Sequence, residues 1–388
     1  MKVTLLGLEF AILNFGCEAL SYSFVNEFSK IASQIGMDCE YTAVVFAPSD
    51  KIAVPDTGQK VSCLKIRYKS LSFWRSLRKL FKQSDLIVDF TGGDSFSDIY
   101  GKKRFFMATI IKLMALKSNA KFILGPQTYG PYEGKMVKRL ARYVLCKSDY
   151  VFARDRMSGE LATELSKRKV DIVADVAFAL PYDKTAYDKE EHKINVGVNL
   201  SGLLWNGGYS HAKLPLTVDY RQYCEELLDV LSKNPIYKVH LISHVGTECG
   251  DGVENDYSVC CELHEKYPKT HLANTFKSPM DAKAYISTMD VLVGARMHAT
   301  IASFSSGVAT IPFSYSRKFE GLYNSIGYDY TIHACTEETQ QALTKTIGYI
   351  EDYQKVKKNV DASMKQVAIL QEEFRRKLKE IVTENKEN

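Results

Sequence analysis

The sequence predicts an α/β protein made of two Rossmann-like domains facing a cleft, with a C-terminal helical segment. Three observations carry this. Short β-branched runs alternate with longer helical periods, the pattern of βαβ units and parallel sheets. The 388 residues, 45% hydrophobic and 25% charged, exceed what one core sustains, since single cores stop growing at roughly 250–300 residues. A polar, charged, proline-containing stretch, PYDKTAYDKEEHK at 181–193, separates two such series.

In the first series, Val3 to Leu8, Tyr41 to Phe46, Leu86 to Phe90, Phe122 to Leu124, Tyr150 to Ala153 and Ile172 to Ala174 read as strands with helices between them. They define an expected N-terminal domain at 1–183. In the second, Ile194 to Leu200, Val239 to Ser243, Val291 to Val293 and Ala309 to Phe313 read as strands, with helices over Arg221 to Lys233, Asp281 to Thr288 and Thr300 to Ser306. They define a second domain at 193–336. Residues 337–388 are charged and carry no strand signal, which predicts one long helix or a helix pair.

Composition narrows the function classes. Nine cysteines, an odd number without a C-x-x-C pair, indicate neither a disulfide framework nor a zinc knuckle and fit a reducing compartment. No metal-ligand spacing emerges among the histidines. The most apolar helical run, Phe105 to Leu116, is interrupted by Lys112 and is too short to span a bilayer. The expected location is cytoplasmic, at most peripheral to the inner face of the membrane. A net charge of +5 is too small and dispersed to argue for nucleic acid. Lys65 to Lys82 carries seven basic residues and no acid, with Phe73, Trp74, Leu77, Leu80 and Phe81 at helical spacing. Two readings stay open: an apolar stripe packed on the first sheet, or a surface docked on an anionic bilayer.

Chemistry is expected in the loops that follow the strands, because ligands of open α/β sheets sit at the strands' carboxyl ends. After the first strand, Asn14 and Gly16 precede a helix; no G-x-G-x-x-G and no P-loop occurs, so standard dinucleotide or ATP binding has little support. After the third, Gly92 and Gly93 permit a tight turn and Asp94 stands at the strand's mouth, as a reactive carboxylate or as a helix N-cap. Gly125 to Pro131 forms a stiff loop expected to fix Gln127 and Tyr129 at the cleft. Arg154 places a cation at a strand end, with a surface pair to Asp155 or a neighbour as the alternative.

The second series is richer. Ser243-His244 ends a strand, Glu254-Asn255-Asp256 opens a helix, and Arg317-Lys318 follows the strand ending at Phe313. The run Val-Leu-Val-Gly-Ala-Arg296-Met297-His298-Ala leads from a strand into a helix expected to begin at Ala299. Backbone N–H groups at a helix start favour an anion, so Arg296 beside them suits a phosphorylated ligand, and His298 can move a proton near neutral pH. Taken alone, R-x-H reads sooner as an ion-paired surface arginine and a satisfied histidine. A shared strand edge would bring His244, Arg296, His298 and Lys318 together, a cationic rim that calls for an anion.

In their order, N-x-G-C-E-A, D-x-x-V-x-x-x-G-G-D, Q-x-x-G-P, A-R-D-R-x-S, S-H with a following N-D, V-G-A-R-M-H-A and S-Y-x-x-K-x-x-G resemble the polysaccharide pyruvyl transferases over about residues 5 to 330. The resemblance implies the fold of the two-domain glycosyltransferases of the B type, phosphoenolpyruvate as donor, a hexose of a glycan, free or polyprenyl-diphosphate-linked, as acceptor, and no separate cofactor. It assigns Arg296, His298 and Arg154 to the donor; the shared strand edge adds His244 and Lys318 there, and the strand-end loops of the first series make Asn14, Gly16, Gly92, Gly93, Gln127 and Tyr129 the expected acceptor residues. His298, Arg296 and Asp94 are the expected catalytic residues. Two alternatives remain: a nucleotide-sugar glycosyltransferase or epimerase, with Glu254 and Asp256 on the ribose hydroxyls, and a non-catalytic glycan-assembly subunit.

Overall fold

Parallel strands made of near-continuous apolar runs need helices on both faces, and the computed structural model contains two sheets of this kind. It describes residues 1–46, 51–53, 58–208, 214–246 and 252–387. They fall into two compact units: Met1–Ile12, Leu20–Val176 and Val367–Asn388 in the first, Leu13–Ala19 and Ala177–Gln366 in the second.

The first unit runs β1 (Lys2–Leu6), α1 (Phe15–Gln34, from Leu20 onward in this unit), β2 (Glu40–Val45), β3 (Lys51–Ala53), β4 (Lys60–Lys65), α2 (Leu71–Gln83), β5 (Leu86–Asp89), α3 (Lys102–Ala115), β6 (Lys121–Gln127), α4 (Lys135–Lys147), β7 (Tyr150–Ala153), α5 (Arg156–Ser166) and β8 (Asp171–Ile172). The strand order is β3-β4-β2-β1-β5-β6-β7-β8, parallel except for β3 against β4. The β3–β4 pair extends the sheet beyond the strands expected from sequence. Its short, lysine-flanked segments offer little apolar periodicity.

The basic segment at 65–82 resolves clearly. Lys65 ends β4, and the helix begins only at Leu71, where Ser70 accepts the Phe73 N–H. Phe73, Leu77 and Phe81 are buried in one core with Ile87, Phe122 and Val144, and Trp74 and Leu80 pack against it. Each such side chain stabilises the fold by about 1.5–3 kcal/mol when buried. Docking this stripe on a bilayer would forfeit that, so the apolar stripe is part of the core, with Arg75, Arg78, Lys79 and Lys82 exposed outside it.

The second unit runs β9 (Ile194–Asn199), α6 (Gly202–Trp205), α7 (Tyr220–Lys233), β10 (Tyr237–Ile242), α8 (Asp256–Lys266), β11 (His271–Leu272), α9 (Pro279–Ile286), β12 (Val291–Gly294), α10 (Met297–Ser305), β13 (Ala309–Ser314), α11 (Arg317–Ser325), β14 (Ile332–His333), α12 (Thr339–Glu351) and α13 (Tyr353–Glu387). All six strands are parallel, in the order β11-β10-β9-β12-β13-β14. The order reverses between β9 and β12, the topological switch point at which such sheets bind ligands.

Two segments depart from the domain ranges expected from sequence. Residues 13–19 join the second unit: the Phe15 N–H donates to the His244 carbonyl at 3.2 Å, the Gly246 N–H donates to the Leu13 carbonyl at 3.0 Å, and Phe15 is buried with Ile242 and Phe276. The 337–388 segment is a helix pair divided between the units. Tyr223 and Thr346 join α7 to α12 by a 2.8 Å hydrogen bond, while the end of α13 belongs to the first unit, where Phe374 packs on Phe152 and Arg375 pairs with Glu27 at 2.7 Å. No helix among the described residues is long and apolar enough to cross a membrane. No disulfide joins any of the eight described cysteines, and Cys249 lies outside the described residues.

Candidate functional site

The carboxyl ends of β9, β10, β12 and β13 gather the polar residues of the second unit. Asn199, the last residue of β9, donates through Nδ2 to the Ile242 carbonyl at 3.0 Å and accepts the Arg296 N–H on Oδ1 at 2.9 Å. It thereby ties the ends of β10, β9 and β12 together at the switch point. Its signal in the sequence is a polar residue closing the strand INVGVN, which motif reading passes over.

Arg296 does not stand free on a cationic rim. Its Nε and Nη2 reach Asp256 at 2.7–3.1 Å, and Nη2 also donates to the Glu254 carbonyl at 3.0 Å. Asp256 is fully buried and accepts the backbone N–H groups of Gly202, His244 and Val245 as well. Burial pushes the Asp256 carboxyl up, against the pull of Arg296 and these N–H donors. Burial also works against the guanidinium charge, but Asp256 outweighs it and raises the Arg296 pKa. The two-nitrogen contact with Asp256 fixes the plane of the guanidinium. Nη1 carries no hydrogen bond to the described residues. The ribose role expected of Asp256 is corrected, because all its acceptor capacity is used inside the protein.

His244 also departs from expectation. Expected to be protonatable, it is buried edge-on against Phe15, with ring centroids 5.7 Å apart. Burial, together with the nearby His298 and Arg296, drives its pKa down to about 3. It is neutral at physiological pH and adds no charge for a donor. His298 is half-buried in the first turn of α10, which starts at Met297 rather than Ala299 because Arg296 is its N-cap. A Cβ at Gly16 would lie 2.6 Å from His298 Nδ1. Asn14, whose Oδ1 accepts the Cys17 N–H, pairs in an antiparallel bridge with Val245. Asn14 and Gly16, assigned to the acceptor from sequence, thus line the histidine pair of the second unit, because Phe15 is anchored in that unit's core.

The helices that begin at this edge are unusual in their capping. Asp219, Asn255 and Ser278 cap α7, α8 and α9 with their side chains, whereas neither Arg296 on α10 nor Ser316 on α11 does so. The Ser314 and Ser316 hydroxyls are buried and have no hydrogen-bond partner among the described residues. Lys318 lies half-buried in the first turn of α11. Adjacent helix N-termini with uncommitted N–H groups and hydroxyls make a seat for an anion. Both serines stand in the S-Y-x-x-K motif, but burial without a partner is a tertiary property.

In the first unit, Thr91, Gly92 and Gly93 all have positive φ, of 43°, 64° and 86°. The turn is held from below by Asp89, which pairs with buried Lys112 at 2.9 Å, while Lys112 also donates to Thr91 Oγ1 at 2.7 Å. Gly93 leaves room for Arg154, whose Nη1 would sit 3.1 Å from a Cβ there. Arg154 pairs with buried Asp175 at 2.8 Å, not with Asp155, and donates through Nε to Thr128 at 3.0 Å. Asp155 instead caps α5. Asp94 is half-buried, accepts from Tyr100 Oη at 2.8 Å, and is not a helix N-cap. Two expectations fail here. Gln127 and Tyr129 have no exposed surface: Gln127 donates to the Asp89 carbonyl at 2.9 Å, and Tyr129 packs on Phe96 and donates to the Phe152 carbonyl at 2.9 Å. Gly125, Pro126 and Gln127 are the last residues of β6 and not a loop, and Gln127 and Tyr129 both face inward, so neither reaches an acceptor. Among the described residues no cluster of histidine, cysteine or carboxylate side chains could hold a metal ion.

The family model for polysaccharide pyruvyl transferase matches residues 14–317. A comparison with curated proteins yields no match. Among solved structures, the chain is similar to sucrose-phosphate synthase from Thermosynechococcus elongatus, with 10% identity, 99% of this chain and 98% of that chain covered, and a TM-score of 0.58. It is similar to the UDP-GlcNAc 2-epimerase from Neisseria meningitidis bound to UDP-GlcNAc, with 12% identity, coverage of 96% and 100%, and a TM-score of 0.55. Anabaena HepE in complex with UDP and glucose gives 12% identity, coverage of 99% and 98%, and a TM-score of 0.54. At these identities the likeness is one of fold, that of the B-type glycosyltransferases.

Proposed function

The chain belongs to the polysaccharide pyruvyl transferase family, and from that premise we propose that it moves pyruvate from phosphoenolpyruvate onto two hydroxyls of a hexose in a surface polysaccharide or its lipid-linked precursor. The product is a cyclic ketal and the by-product is phosphate. The observation that carries the reading is the joint edge of α10 and α11, with Arg296, His298, Lys318 and the Ser314 and Ser316 hydroxyls, which have no hydrogen-bond partner among the described residues.

The reaction sets the demands on the site. A proton adds to the methylene carbon of the enol phosphate and C2 becomes oxocarbenium-like. One sugar oxygen bonds to C2, the C2–O bond to phosphate breaks, and the second sugar oxygen closes the ring. One proton is delivered to carbon and two are collected from hydroxyls. The N–H groups of α10 and α11, Ser314, Ser316 and Lys318 suit the phosphate; Arg296 Nη1, held in plane by Asp256, suits the carboxylate. His298 is the acid or the hydrogen-bond donor to departing phosphate. Asp94 is the base for an attacking hydroxyl, whereas Arg154, expected on the donor, is buried and neutralised by Asp175. No separate cofactor enters this scheme.

Incubation with phosphoenolpyruvate and a panel of hexose-containing glycans tests the proposal. Phosphate release that requires both substrates, with a ketal methyl signal in the product, is the expected outcome. Release of nucleoside diphosphate from a nucleotide sugar, with no turnover of phosphoenolpyruvate, overturns it.

A further inference from the structure

The helices α2, α3 and α4 follow β4, β5 and β6, successive crossovers in one direction along the sheet, and their apolar sides share a single core through Phe73, Phe105 and Val137. They therefore lie side by side on one face of the first unit. Their outer sides carry Arg75, Arg78, Lys79 and Lys82 on α2, Lys102, Lys103 and Arg104 on α3, and Lys135, Lys138, Arg139, Arg142 and Lys147 on α4, all exposed. None of the three helices contains an Asp or Glu. The neighbouring α5 does, with Glu160 and Glu164 exposed, so the basic face has an edge. The chain as a whole is nearly balanced, 51 Lys and Arg against 46 Asp and Glu, which makes this segregation a property of the fold and not of composition.

Large apolar side chains interrupt the charges. Leu71 is 74% exposed, Met136 55%, Tyr143 49% and Ile110 44%. A polyanion in solution needs the charge alone; a bilayer with anionic headgroups also takes up apolar and aromatic side chains at its interface. From this combination we infer that the α2–α3–α4 face is a docking surface for an anionic lipid bilayer, with the three helices lying flat on the headgroups. The surface differs from the apolar stripe of α2, which is buried in the core. It holds independently of the reaction proposed above.

Flotation of the full chain with vesicles of equal parts phosphatidylglycerol and phosphatidylcholine, and with phosphatidylcholine alone, tests this. The chain is expected to float with the former only and to be released by salt at about 0.5 M, where the Debye length is a few ångströms. The triple variant K138Q/R139Q/R142Q is expected to bind at least about tenfold more weakly, and K355Q/K357Q/K358Q on α13 to bind as wild type. The variant M136S/Y143S is expected to lose several-fold in binding. Absence of flotation, equal loss in both triple variants, or an unchanged M136S/Y143S, which would indicate a soluble polyanion as partner, each overturns the inference. Turnover with a water-soluble acceptor in the absence of vesicles is expected to be unaffected by K138Q/R139Q/R142Q, so failure of docking and failure of the proposed chemistry are separable.

Discussion

Gly16 lies against the His298 imidazole so closely that a Cβ there would come 2.6 Å from Nδ1 and 3.1 Å from Cγ. The contact links the first turn of α1 to the R-x-H turn 280 residues later, within the same compact unit. Gly16→Ala must displace the ring, and a misplacement of about 1 Å costs up to about 100-fold in rate. Turnover is expected to fall tenfold or more, on the order of that limit, with the melting temperature little changed. Normal turnover in this variant would remove His298 from the chemistry.

Asp256 is the anchor of the site, and its removal separates architecture from catalysis. Asp256→Asn leaves a buried guanidinium uncompensated, and breaking such a pair costs about 3–5 kcal/mol. Urea denaturation of Asp256→Asn is expected to show a loss of this size. The double variant Asp256→Leu/Arg296→Met, which removes both charges, is expected to be less destabilised. Equal midpoints for wild type and Asp256→Asn would mean that the pair is not formed.

Two buried histidines give the stability a pH dependence. Burial lowers His244 to about 3 and His240 to about 4, both below the ordinary 6.5. The unfolded chain takes up these protons as pH falls through about 6.5 and the folded chain does not. The stabilisation is fully present above that pH and is lost as pH falls toward 4, with a slope of about 1.4 kcal/mol per pH unit for each histidine. His244→Asn is expected to flatten the melting temperature profile between these limits. A profile parallel to wild type would count against a neutral buried His244.

Ser314 and Ser316 hold hydroxyls for which the described residues supply no partner. If they bind donor phosphate, Ser314→Ala and Ser316→Ala each raise the KM for phosphoenolpyruvate. A hydrogen bond to a charged group contributes about 1.5–3 kcal/mol, equivalent to roughly 10–100-fold. Stability should not fall, since no internal hydrogen bond is lost. An unchanged KM in both variants moves the phosphate elsewhere.

Asp94 is assigned as the base for a sugar hydroxyl. Asp94→Asn keeps the hydrogen bond from Tyr100 Oη but cannot take a proton. It is expected to lower kcat about 100-fold or more while KM for phosphoenolpyruvate holds. Unchanged turnover ends that assignment.

The sequence by itself determined the two parallel-sheet units, the placement of most of their strands, and the polar loops that follow them. Hydrophobic periodicity is local, so a run such as Val291 to Val293 announces a buried strand without reference to anything distant. The R-x-H turn and the S-Y-x-x-K motif were legible for the same reason: each is a strand end followed by a helix start. What a side chain meets there was decided by tertiary structure. Arg296 looked like a free cation until Asp256, 40 residues earlier, filled its fork; His244 looked titratable until Phe15 and its own burial made it neutral; Tyr129 looked like a site residue until Phe96 and Phe152 enclosed it. The chain's first loop belongs with the second unit only because Phe15 finds its core there. The charge state of a group and its access to a ligand depend on desolvation and on partners brought together by folding, and neither is written in the spacing of residues along the chain.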